Sequence, residues 1–389
     1  MTSTCKDGDL EDGLKPALAH VAGGLKLDEA QAEAAFGVVM AGEATPAQIG
    51  GLLMALRVRG ETVAELTGAV RALRRRMLRV QAPRGAIDVC GTGGDQHGTL
   101  NISTAVAFVL AACGVPVAKH GNRALSSRAG ASDVLAALGV PPVQDVAELQ
   151  AELADHDLAF MAAPAHHPAL RFAAAVRAEL GTRTLFNLLG PLCNPASVQL
   201  QLIGVYDRRW LIPVVETLRR LGSARVWAVH GMIDGDQAGQ GLDELTLAGP
   251  SWVVALEDGV IHELVITPAM AGLPPAPVAA IAGGDGRHNA LALEALLRGA
   301  RGAYRDTVLL NAAAALRVAR GGNMFPRTMH GSGTPAAATG EAAGAAEAAV
   351  LVRGLREAVR EAACALDDGS ALAVLERLRC RLRDRDHRR

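Results

Sequence analysis

The sequence predicts an α/β protein in which a small N-terminal helical domain precedes a larger domain with a mostly parallel central sheet flanked by helices. Helix-start signals without strand patterns fill residues 14–82, which predicts the helical domain. From residue 83 onward, short apolar runs alternate with helical stretches, as they do in parallel βαβ units. Two later apolar runs are joined through Asp258 and Gly259, so one antiparallel hairpin is also expected.

The overall composition argues against several classes of protein. The 389 residues allow two domains and a large core, and the formal net charge of −1 gives no sign of a nucleic-acid-binding surface. No apolar run approaches the roughly 18 residues needed to cross a membrane, and residues 1–12 are acidic and polar, unlike a secretion signal. The six cysteines show no Cys-x-x-Cys spacing, so neither a zinc site nor a disulfide framework is indicated. We therefore expect a cytoplasmic enzyme.

Residues 1–13 are predicted to be disordered, and helices are predicted from there to Val80. Three capping boxes mark helix starts, namely Asp28 with Gln31, Thr45 with Gln48, and Thr62 with Glu65. One helix carries an apolar stripe with the spacing i, i+3, i+4, i+7, formed by Ile49, Leu52, Leu53 and Leu56. The arginines at 74–76 are interpreted as a solvated face.

The larger domain is organised around Asp88-Val-Cys-Gly91-Thr-Gly93-Gly94-Asp95, which follows a predicted buried strand at 86–90. Three glycines in four positions let a ligand approach the backbone closely, and residues 101–104 supply helix-capping side chains for the apolar run behind them. Strand, loop and helix N-terminus together present unpaired N–H groups, which suit a phosphate. The stretch is neither a P-loop nor a G-x-G-x-x-G fingerprint, and the glycines alone also fit an ordinary turn.

A second polar stretch follows the next predicted strand, at 115–119. It runs Lys119-His-Gly-Asn-Arg123 and continues to Ser126-Ser127, so it adds cations, an amide and two hydroxyls. Ligands in open α/β sheets bind at the carboxyl ends of the strands. The two stretches together therefore predict an anion-binding site.

The remainder of the chain continues the α/β pattern. The predicted strands are 159–163, 225–230, 252–256 and 260–265. The predicted helices are 132–138, 146–153, a stretch that ends at Leu180, and a stretch that starts near Asn289. Three more helices are predicted: one is capped by Asp306 or Thr307 and ends near Val318, and the others span 346–365 and 371–382. Residues 321–344 are rich in Gly, Ala, Ser, Thr and Pro and are predicted to form a flexible insert. His166 and His167 are adjacent, so their side chains diverge and make a poor metal-binding pair.

These motifs together resemble the anthranilate phosphoribosyltransferases. The resemblance rests on Gly91-Thr-Gly-Gly-Asp95, Asn101-Ile-Ser-Thr104, Lys119-His-Gly-Asn-Arg123, Ser126-Ser127, Ala163-Pro-Ala-His-His-Pro168, Val176-Arg177, Asn187-Leu-Leu-Gly-Pro191 and Gly241-Leu-Asp-Glu244. It covers residues 14 to about 320 and resumes near Leu351. It implies a pentosyltransferase that moves the phosphoribosyl group of 5-phosphoribosyl 1-pyrophosphate (PRPP) to the amino group of anthranilate, a step of tryptophan biosynthesis.

The resemblance also implies which residues bind each ligand. PRPP is expected on Gly91, Gly94, Asp95, Thr99, Asn101, Ile102, Ser103, Thr104, Lys119, His120, Gly121, Asn122, Arg123, Ser126, Ser127 and Ala131. Anthranilate is expected on Gly91, Asn122 and Arg177, with the arginine pairing the carboxylate. A pair of Mg²⁺ ions per subunit is expected on Ser103, Asp243 and Glu244. No general base is expected, because an aromatic amine is already mostly neutral at pH 7.

The same resemblance implies how the chain is divided. The helical domain is expected to be discontinuous, with residues 14–82 joined by a returning segment at about 168–196. The α/β domain that binds PRPP is then expected at 83–167 and 197–389. A homodimer through the helical domain is expected, with no nucleic-acid or membrane partner.

Some residues depart from the family pattern. Residues 232–240 lengthen the loop before Gly241, Ala131 stands where a serine is usual, and Leu100 stands where phenylalanine is common. These departures leave open a related phosphoribosyltransferase with another aromatic acceptor. A pyrimidine nucleoside phosphorylase would share the architecture, and a nucleic-acid-binding relative is the non-enzymatic alternative. The intact motifs and the balanced charge argue against both.

Overall fold

The structure, a computed structural model, describes residues 13–121, 129–233, 241–321 and 340–386. Of residues 1–13, which were predicted to be disordered, only Gly13 lies within these ranges. Most of the predicted insert at 321–344 also lies outside them, as does most of the lengthened loop before Gly241. No helix within the described ranges is both long enough and apolar enough to cross a lipid bilayer.

The chain begins with four helices, which are α1 Lys15–Ala22, α2 Glu29–Ala41, α3 Pro46–Arg59 and α4 Val63–Arg74. All three predicted capping boxes are formed, and the predicted apolar stripe on α3 is buried. The interpretation of Arg74 as solvated is wrong. Its Nε and Nη2 donate to the carbonyl of Leu192, at 2.9 and 2.6 Å, because the end of α4 packs against a segment that returns much later in the chain.

A seven-stranded sheet forms the centre of the larger domain. Its strands are β1 Ile87–Gly91, β2 Val117–Gly121, β3 Leu158–Ala162, β4 Leu200–Gly204, β5 Arg225–Gly231, β6 Ser251–Glu257 and β7 Val260–Ile266. They lie in the order β3-β2-β1-β4-β5-β6-β7, with parallel pairing from β3 to β5 and antiparallel pairing beyond it. The predicted mostly parallel sheet and its hairpin are therefore confirmed. β4 was not predicted, although it lies at the centre of the sheet.

The helices that follow α4 are α5 Ile102–Ala112, α6 Ala131–Ala137, α7 Val146–His156, α8 Ala163–His166, α9 Arg171–Leu180, α10 Phe186–Leu192, α11 Leu211–Arg220, α12 Gly286–Leu297, α13 Ala303–Arg320, α14 Gly340–Asp367 and α15 Ser370–Asp386. The predicted start of α13 is wrong. The helix begins after Gly302, whose φ of 130° is a left-handed conformation that favours glycine. Asp306 therefore lies in the first turn, and the Thr307 hydroxyl donates back to the Ala303 carbonyl.

The sheet has a different partner on each face. One face packs on α5 and α13, on which α14 and α15 pack in turn, and the other face shares a continuous apolar core with α11 and the N-terminal helices. Helices α9 and α10 also join this second core, where the rings of Phe36 and Phe186 lie 6.0 Å apart. The segment between β3 and β4 thus leaves the sheet, packs on α2, α3 and α4, and returns.

Candidate active site

The predicted ligand-binding motifs meet at the carboxyl ends of β1, β2 and β4. The chain proceeds outward from β1 to β2 and β3 and then crosses back to β4, so the direction of strand succession reverses beside β1. In open α/β sheets this reversal leaves a crevice in which ligands bind. The sequence places the glycine loop after β1, the Lys119 stretch at the end of β2, and residues 241–246 across the ends of the central strands.

The segment that carries Asp243 and Glu244 lies directly on two glycines. A Cβ atom on Gly204, at the end of β4, would overlap the Asp243 carbonyl oxygen, and one on Gly91 would overlap Asp243 Oδ2. Leu242 forms a two-way backbone pair with Gly231, at 2.8 and 2.9 Å. The acidic pair is therefore held close to the strand ends by contacts that leave no room for larger residues.

Both carboxylates are partly buried and accept hydrogen bonds from the phosphate-binding motifs. Asp243 Oδ2 accepts from the Gly93 N–H at 2.7 Å, and Glu244 Oε1 accepts from the Ser103 N–H at 3.2 Å. Burial and then the charge of Asp95 raise the pKa of Asp243, while burial and then the charge of Asp243 raise the pKa of Glu244. Two N–H groups that were predicted to face a phosphate thus already donate to these acids.

Lys119 connects the second strand to this cluster. Only 3% of its surface is exposed, and its Nζ donates to the Val89 carbonyl at 2.6 Å and to Ser103 Oγ at 3.2 Å. Ser103 therefore contacts Lys119 through its hydroxyl and Glu244 through its backbone. The buried Lys119 ammonium favours the charged form of Glu244 and gives the site both signs of charge.

The chemistry of this donor set fits a magnesium ion. Mg²⁺ prefers oxygen ligands and is commonly held by one or two carboxylates together with substrate phosphates and water. Asp243 and Glu244 are adjacent, partly buried carboxylates, and the backbone N–H of the hydroxyl-bearing Ser103 donates to Glu244. In the described ranges no three His, Cys, Asp or Glu side chains are grouped closely enough to hold an ion by themselves. The site therefore suits an ion that shares its coordination with a phosphate group.

His120 points to the opposite face of the sheet from Lys119, as neighbouring strand residues do. Its Nδ1 lies 2.9 Å from the Gly190 carbonyl, and its ring lies 5.0 Å from that of His167, edge to face. Burial lowers the pKa of His120 to about 3 and that of His167 to about 4. Both imidazoles are therefore neutral at physiological pH, so neither supplies a proton as an imidazolium.

Asp88 joins this face of the sheet to the returning segment. It is fully buried, and its carboxylate accepts from the His120 N–H at 3.0 Å and from Asn194 Nδ2 at 2.7 Å. Burial raises its pKa. Asn194, which follows α10, also donates to the Ala118 carbonyl at 2.8 Å. Asp88 and His120 lie within recognised motifs, but sequence reasoning missed their hydrogen-bond network with Asn194, because these residues are far apart in the chain.

The other predicted PRPP residues hold the start of α5. Thr99 pairs with Ala282 in an isolated antiparallel bridge, and Ile102 and Thr104 are buried. Asn101 Nδ2 donates to the Ala129 carbonyl at 3.2 Å, and its Oδ1 accepts from Asn289 Nδ2 at 2.8 Å. The Asn101 side chain is therefore already bonded within the protein.

The described residues cover only part of the second ligand stretch. Gly121 ends β2, and a Cβ on it would lie 3.5 Å from the Cβ of Ala131 at the start of α6. Asn122, Arg123, Ser126 and Ser127 lie outside the described residues.

Arg177 lies on α9, with its guanidinium 5.3 Å from the centroid of the Phe186 ring. Burial lowers its pKa. In the part of the chain that the structure describes, it forms no ion pair with an acidic side chain. It is therefore a partly desolvated cation that can accept an anionic group from a ligand.

Arg183 is a candidate site residue that sequence reasoning missed. Its guanidinium stacks on the Tyr206 ring at 4.0 Å and lies 3.2 to 3.4 Å from the position of a Cβ on Gly94. Tyr206 in turn donates its N–H to Thr92 Oγ1 at 3.1 Å. Arg183 thus rests against the glycine loop from the returning segment. Its sequence environment does not distinguish it from a surface arginine.

Comparison with known proteins agrees with this geometry. The profile of the glycosyl transferase family, a/b domain, matches residues 84–372, and that of the glycosyl transferase family, helical bundle domain, matches residues 15–77. An anthranilate phosphoribosyltransferase from Beijerinckia indica is 52% identical over 367 residues, which are 94% of this chain and 96% of the relative. The chain belongs to the anthranilate phosphoribosyltransferase family.

Solved anthranilate phosphoribosyltransferases have the same fold. The enzyme from Thermus thermophilus superposes with a TM-score of 0.79 at 38% identity, over 94% of this chain and 99% of the other. The Saccharomyces cerevisiae enzyme, in complex with PRPP and Mg, superposes with a TM-score of 0.77 at 23% identity, over 95% and 97% of the two chains. At 23% identity, the similarity to the yeast enzyme shows a shared fold and nothing more. Neither the nucleoside phosphorylase nor the nucleic-acid-binding alternative is supported by these matches.

Proposed function

We propose that this chain transfers the phosphoribosyl group of PRPP to the amino group of anthranilate, giving N-(5-phosphoribosyl)anthranilate and pyrophosphate. The observation that carries the proposal is the convergence of Asp243, Glu244, Ser103 and Lys119 on the glycine loop at the carboxyl edge of the sheet. It occurs in a chain whose relative with that activity is 52% identical over nearly its whole length. No separate feature favours another acceptor.

In this proposal the chain binds the anionic groups of PRPP with backbone N–H groups and one buried cation. The N–H groups of Gly93 and Ser103 already donate to the acidic pair, so the glycine loop and the N-terminus of α5 would bind with their other N–H groups and with the positive end of a helix dipole. The Lys119 ammonium adds a charge that burial leaves poorly screened. These groups stabilise negative charge that develops on the leaving pyrophosphate, which is the main electrostatic task of the reaction.

Ser103, Asp243 and Glu244 are the proposed magnesium ligands, and a pair of ions per subunit remains part of the proposal. When bound, the metal neutralises the phosphate oxygens of the leaving group. The related yeast enzyme was solved with PRPP and Mg, but the argument for this chain is its own pair of carboxylates at the glycine loop and the start of α5.

Arg177 is the proposed partner of the anthranilate carboxylate, because a guanidinium can hold a carboxylate with two parallel hydrogen bonds. The amino group of anthranilate is uncharged at neutral pH and already has a free electron pair. We therefore assign no general base, and the neutral, buried His120 and His167 are not needed as one. The chain's contribution is to hold the amine close to the anomeric carbon and to stabilise the departing charge.

The test is a fluorescence assay with the purified chain, PRPP, anthranilate and Mg²⁺. We expect anthranilate fluorescence to fall as the product forms and the reaction to stop when EDTA removes the metal. Phosphorolysis of thymidine or uridine without any loss of anthranilate would contradict the proposal. Loss of another aromatic amine, but not of anthranilate, would identify a related transferase with a different acceptor.

We further propose that the chain forms a homodimer through its helical domain and functions in the cytoplasm. The exposed apolar side chains Leu25 and Val58, both on the N-terminal helical unit, support the first part. Cell fractionation followed by the same activity assay tests the second.

A further inference from the structure

Asn311 lies on α13 and belongs to none of the motifs that were recognised in the sequence. It is fully buried. Its Oδ1 accepts from the Leu245 N–H at 2.9 Å, and its Nδ2 donates to the Leu245 carbonyl at 2.9 Å. One side-chain amide therefore satisfies both backbone groups of a single residue, as a neighbouring strand would.

Leu245 directly follows the acidic pair, Asp243 and Glu244. Leu242, on the other side of the pair, is fixed by its two-way backbone bond to Gly231. Asp243 and Glu244 thus lie between two anchored points, one provided by β5 and the other by Asn311. Asn311 and Glu244 also line the same small cavity, together with Ser103.

Asn311 is itself held firmly. Its Nδ2 makes a second hydrogen bond, to the Thr307 carbonyl one turn earlier on α13, at 2.9 Å. If the amide were rotated by 180°, its oxygen would face the two carbonyl oxygens and its NH₂ group would face the Leu245 N–H. Only one orientation therefore makes all three hydrogen bonds. The side chain therefore fixes the backbone next to the acidic pair relative to α13.

We propose that Asn311 is a positioning residue that sets the magnesium affinity of the site by fixing the backbone that carries Asp243 and Glu244. The inference rests on the proposed function, in which those two acids bind the metal. An amide is suited to this task because it offers a donor and an acceptor without adding charge next to two carboxylates. Asp and Ser lack the donor pair, and Ala lacks both groups.

The test is equilibrium binding of Mn²⁺, a probe for the magnesium site, to the full chain in the presence of inorganic pyrophosphate. Free Mn²⁺ is measured by its electron paramagnetic resonance signal. We expect Asn311→Ala and Asn311→Ser to raise the Mn²⁺ dissociation constant roughly 10- to 100-fold, the range typical of residues that orient metal ligands. Asn311→Ser keeps a polar group without adding charge and serves if the alanine variant does not fold.

Thr307→Val is the matched control. Thr307 is buried one turn away on α13, and its hydroxyl bonds only to the Ala303 carbonyl, at 2.8 Å. We expect it to lower the melting temperature while the Mn²⁺ dissociation constant stays at the parental value. A folded Asn311 variant with parental Mn²⁺ affinity would overturn the inference, even if its activity were reduced.

A third variant separates this inference from the proposed function. Asp243→Asn with Glu244→Gln removes the two carboxylates themselves. If this variant loses Mn²⁺ and the Asn311 variants do not, the metal assignment stands and the role of Asn311 is wrong. If it binds Mn²⁺ as the parent does, the metal assignment is wrong and the role of Asn311 falls with it.

Discussion

Arg171 and Arg177 lie on the same helix, and each guanidinium stacks on an aromatic ring. Arg171 lies 4.6 Å from the centroid of the half-exposed Phe172 ring, whereas Arg177 lies over the buried Phe186. Desolvation lowers the pKa of Arg177. The two residues thus have the same chemistry but differ in their environment. A carboxylate ligand would gain more binding free energy by pairing with the partly desolvated Arg177 than with Arg171.

Arg177→Ala should raise the KM for anthranilate steeply and leave the KM for PRPP nearly unchanged. Removing one partner of a desolvated charge pair typically costs about 2–5 kcal/mol, or roughly 30-fold to several thousand-fold in binding. Steady-state kinetics with each substrate varied in turn provides the measurement. Arg171→Ala, the control, should change neither constant. Equal losses on both substrates would indicate a folding defect instead.

Gly204→Ala should destabilise the chain and weaken metal binding together. The added Cβ would overlap the Asp243 carbonyl oxygen, so the acidic segment must move. Overpacking of this kind typically costs about 1–3 kcal/mol. Gly37→Ala is the control: it lies within α2 with no atom near its Cβ position, so it should stabilise the helix by up to about 1 kcal/mol. Urea unfolding measures the stability of both variants, and Mn²⁺ binding measures the metal affinity. An unchanged urea midpoint in Gly204→Ala would contradict the prediction.

At the level of elements, the buried histidines couple the end of β2 to the returning segment. Burial lowers the pKa of His120 to about 3 and that of His167 to about 4, against about 6.5 in an unfolded chain. Between pH 6.5 and 4 the unfolded state therefore binds more protons than the folded state. The free energy of unfolding should fall as the pH falls through this window, by up to about 1.4 kcal/mol per pH unit for each histidine.

Urea midpoints measured from pH 7 to pH 4.5 test this pH dependence. His167→Gln should flatten the curve relative to the parent. His288→Gln, at an exposed position on α12, should leave it unchanged. If the His167 variant kept the parental slope, the acid sensitivity would have to arise from other groups.

Elements with local signals could be predicted from the sequence, and elements defined by distant partners could not. The capping boxes at Asp28, Thr45 and Thr62 are complete within four residues, and all three are formed. β4 was missed because Gln201 interrupts its apolar run. The structure shows why that glutamine is tolerated, since its buried Nε2 donates to the Pro191 carbonyl at 2.9 Å.

The same contrast holds for the candidate site: residues within recognised motifs could be named from the sequence, and the distant residues that hold them could not. Gly91 and Lys119 belong to residue patterns within short stretches, whereas Ser103, Asp243 and Glu244 were named from the resemblance to a known family. The structure brings all five together. The partners that hold them are single residues elsewhere in the chain. Asn311 is 66 residues from the backbone that it fixes, and nothing around it indicates that contact.

At the scale of the whole molecule, the exposed apolar side chains suggest where two copies meet. Val58 on α3 is 81% exposed and Leu25 is 56% exposed. Arg59, next to Val58, donates to the Leu25 carbonyl, so the end of α3 contacts the segment that follows α1. Apolar side chains grouped on one surface are typical of an interface.

Val58→Glu should therefore shift the chain from dimer to monomer, because it would place a charge within the proposed contact. Light scattering coupled to size-exclusion chromatography measures the mass directly. Leu291→Glu, at a 64% exposed position on α12, is the matched control and should leave the mass unchanged. A monomeric parent, or a dimeric Val58 variant, would show that this surface is not the interface.

The bond between Arg74 and the Leu192 carbonyl spans 118 residues of chain. A ribosome therefore finishes α1–α4 well before it makes α10, by roughly 6–24 s at about 5–20 residues per second. During that interval Phe36 lacks Phe186, its later ring partner, and nascent chains with exposed apolar surface are prone to aggregate. We expect the soluble yield to depend on how fast codons 75–192 are translated, so synonymous codons there should matter although they change no amino acid.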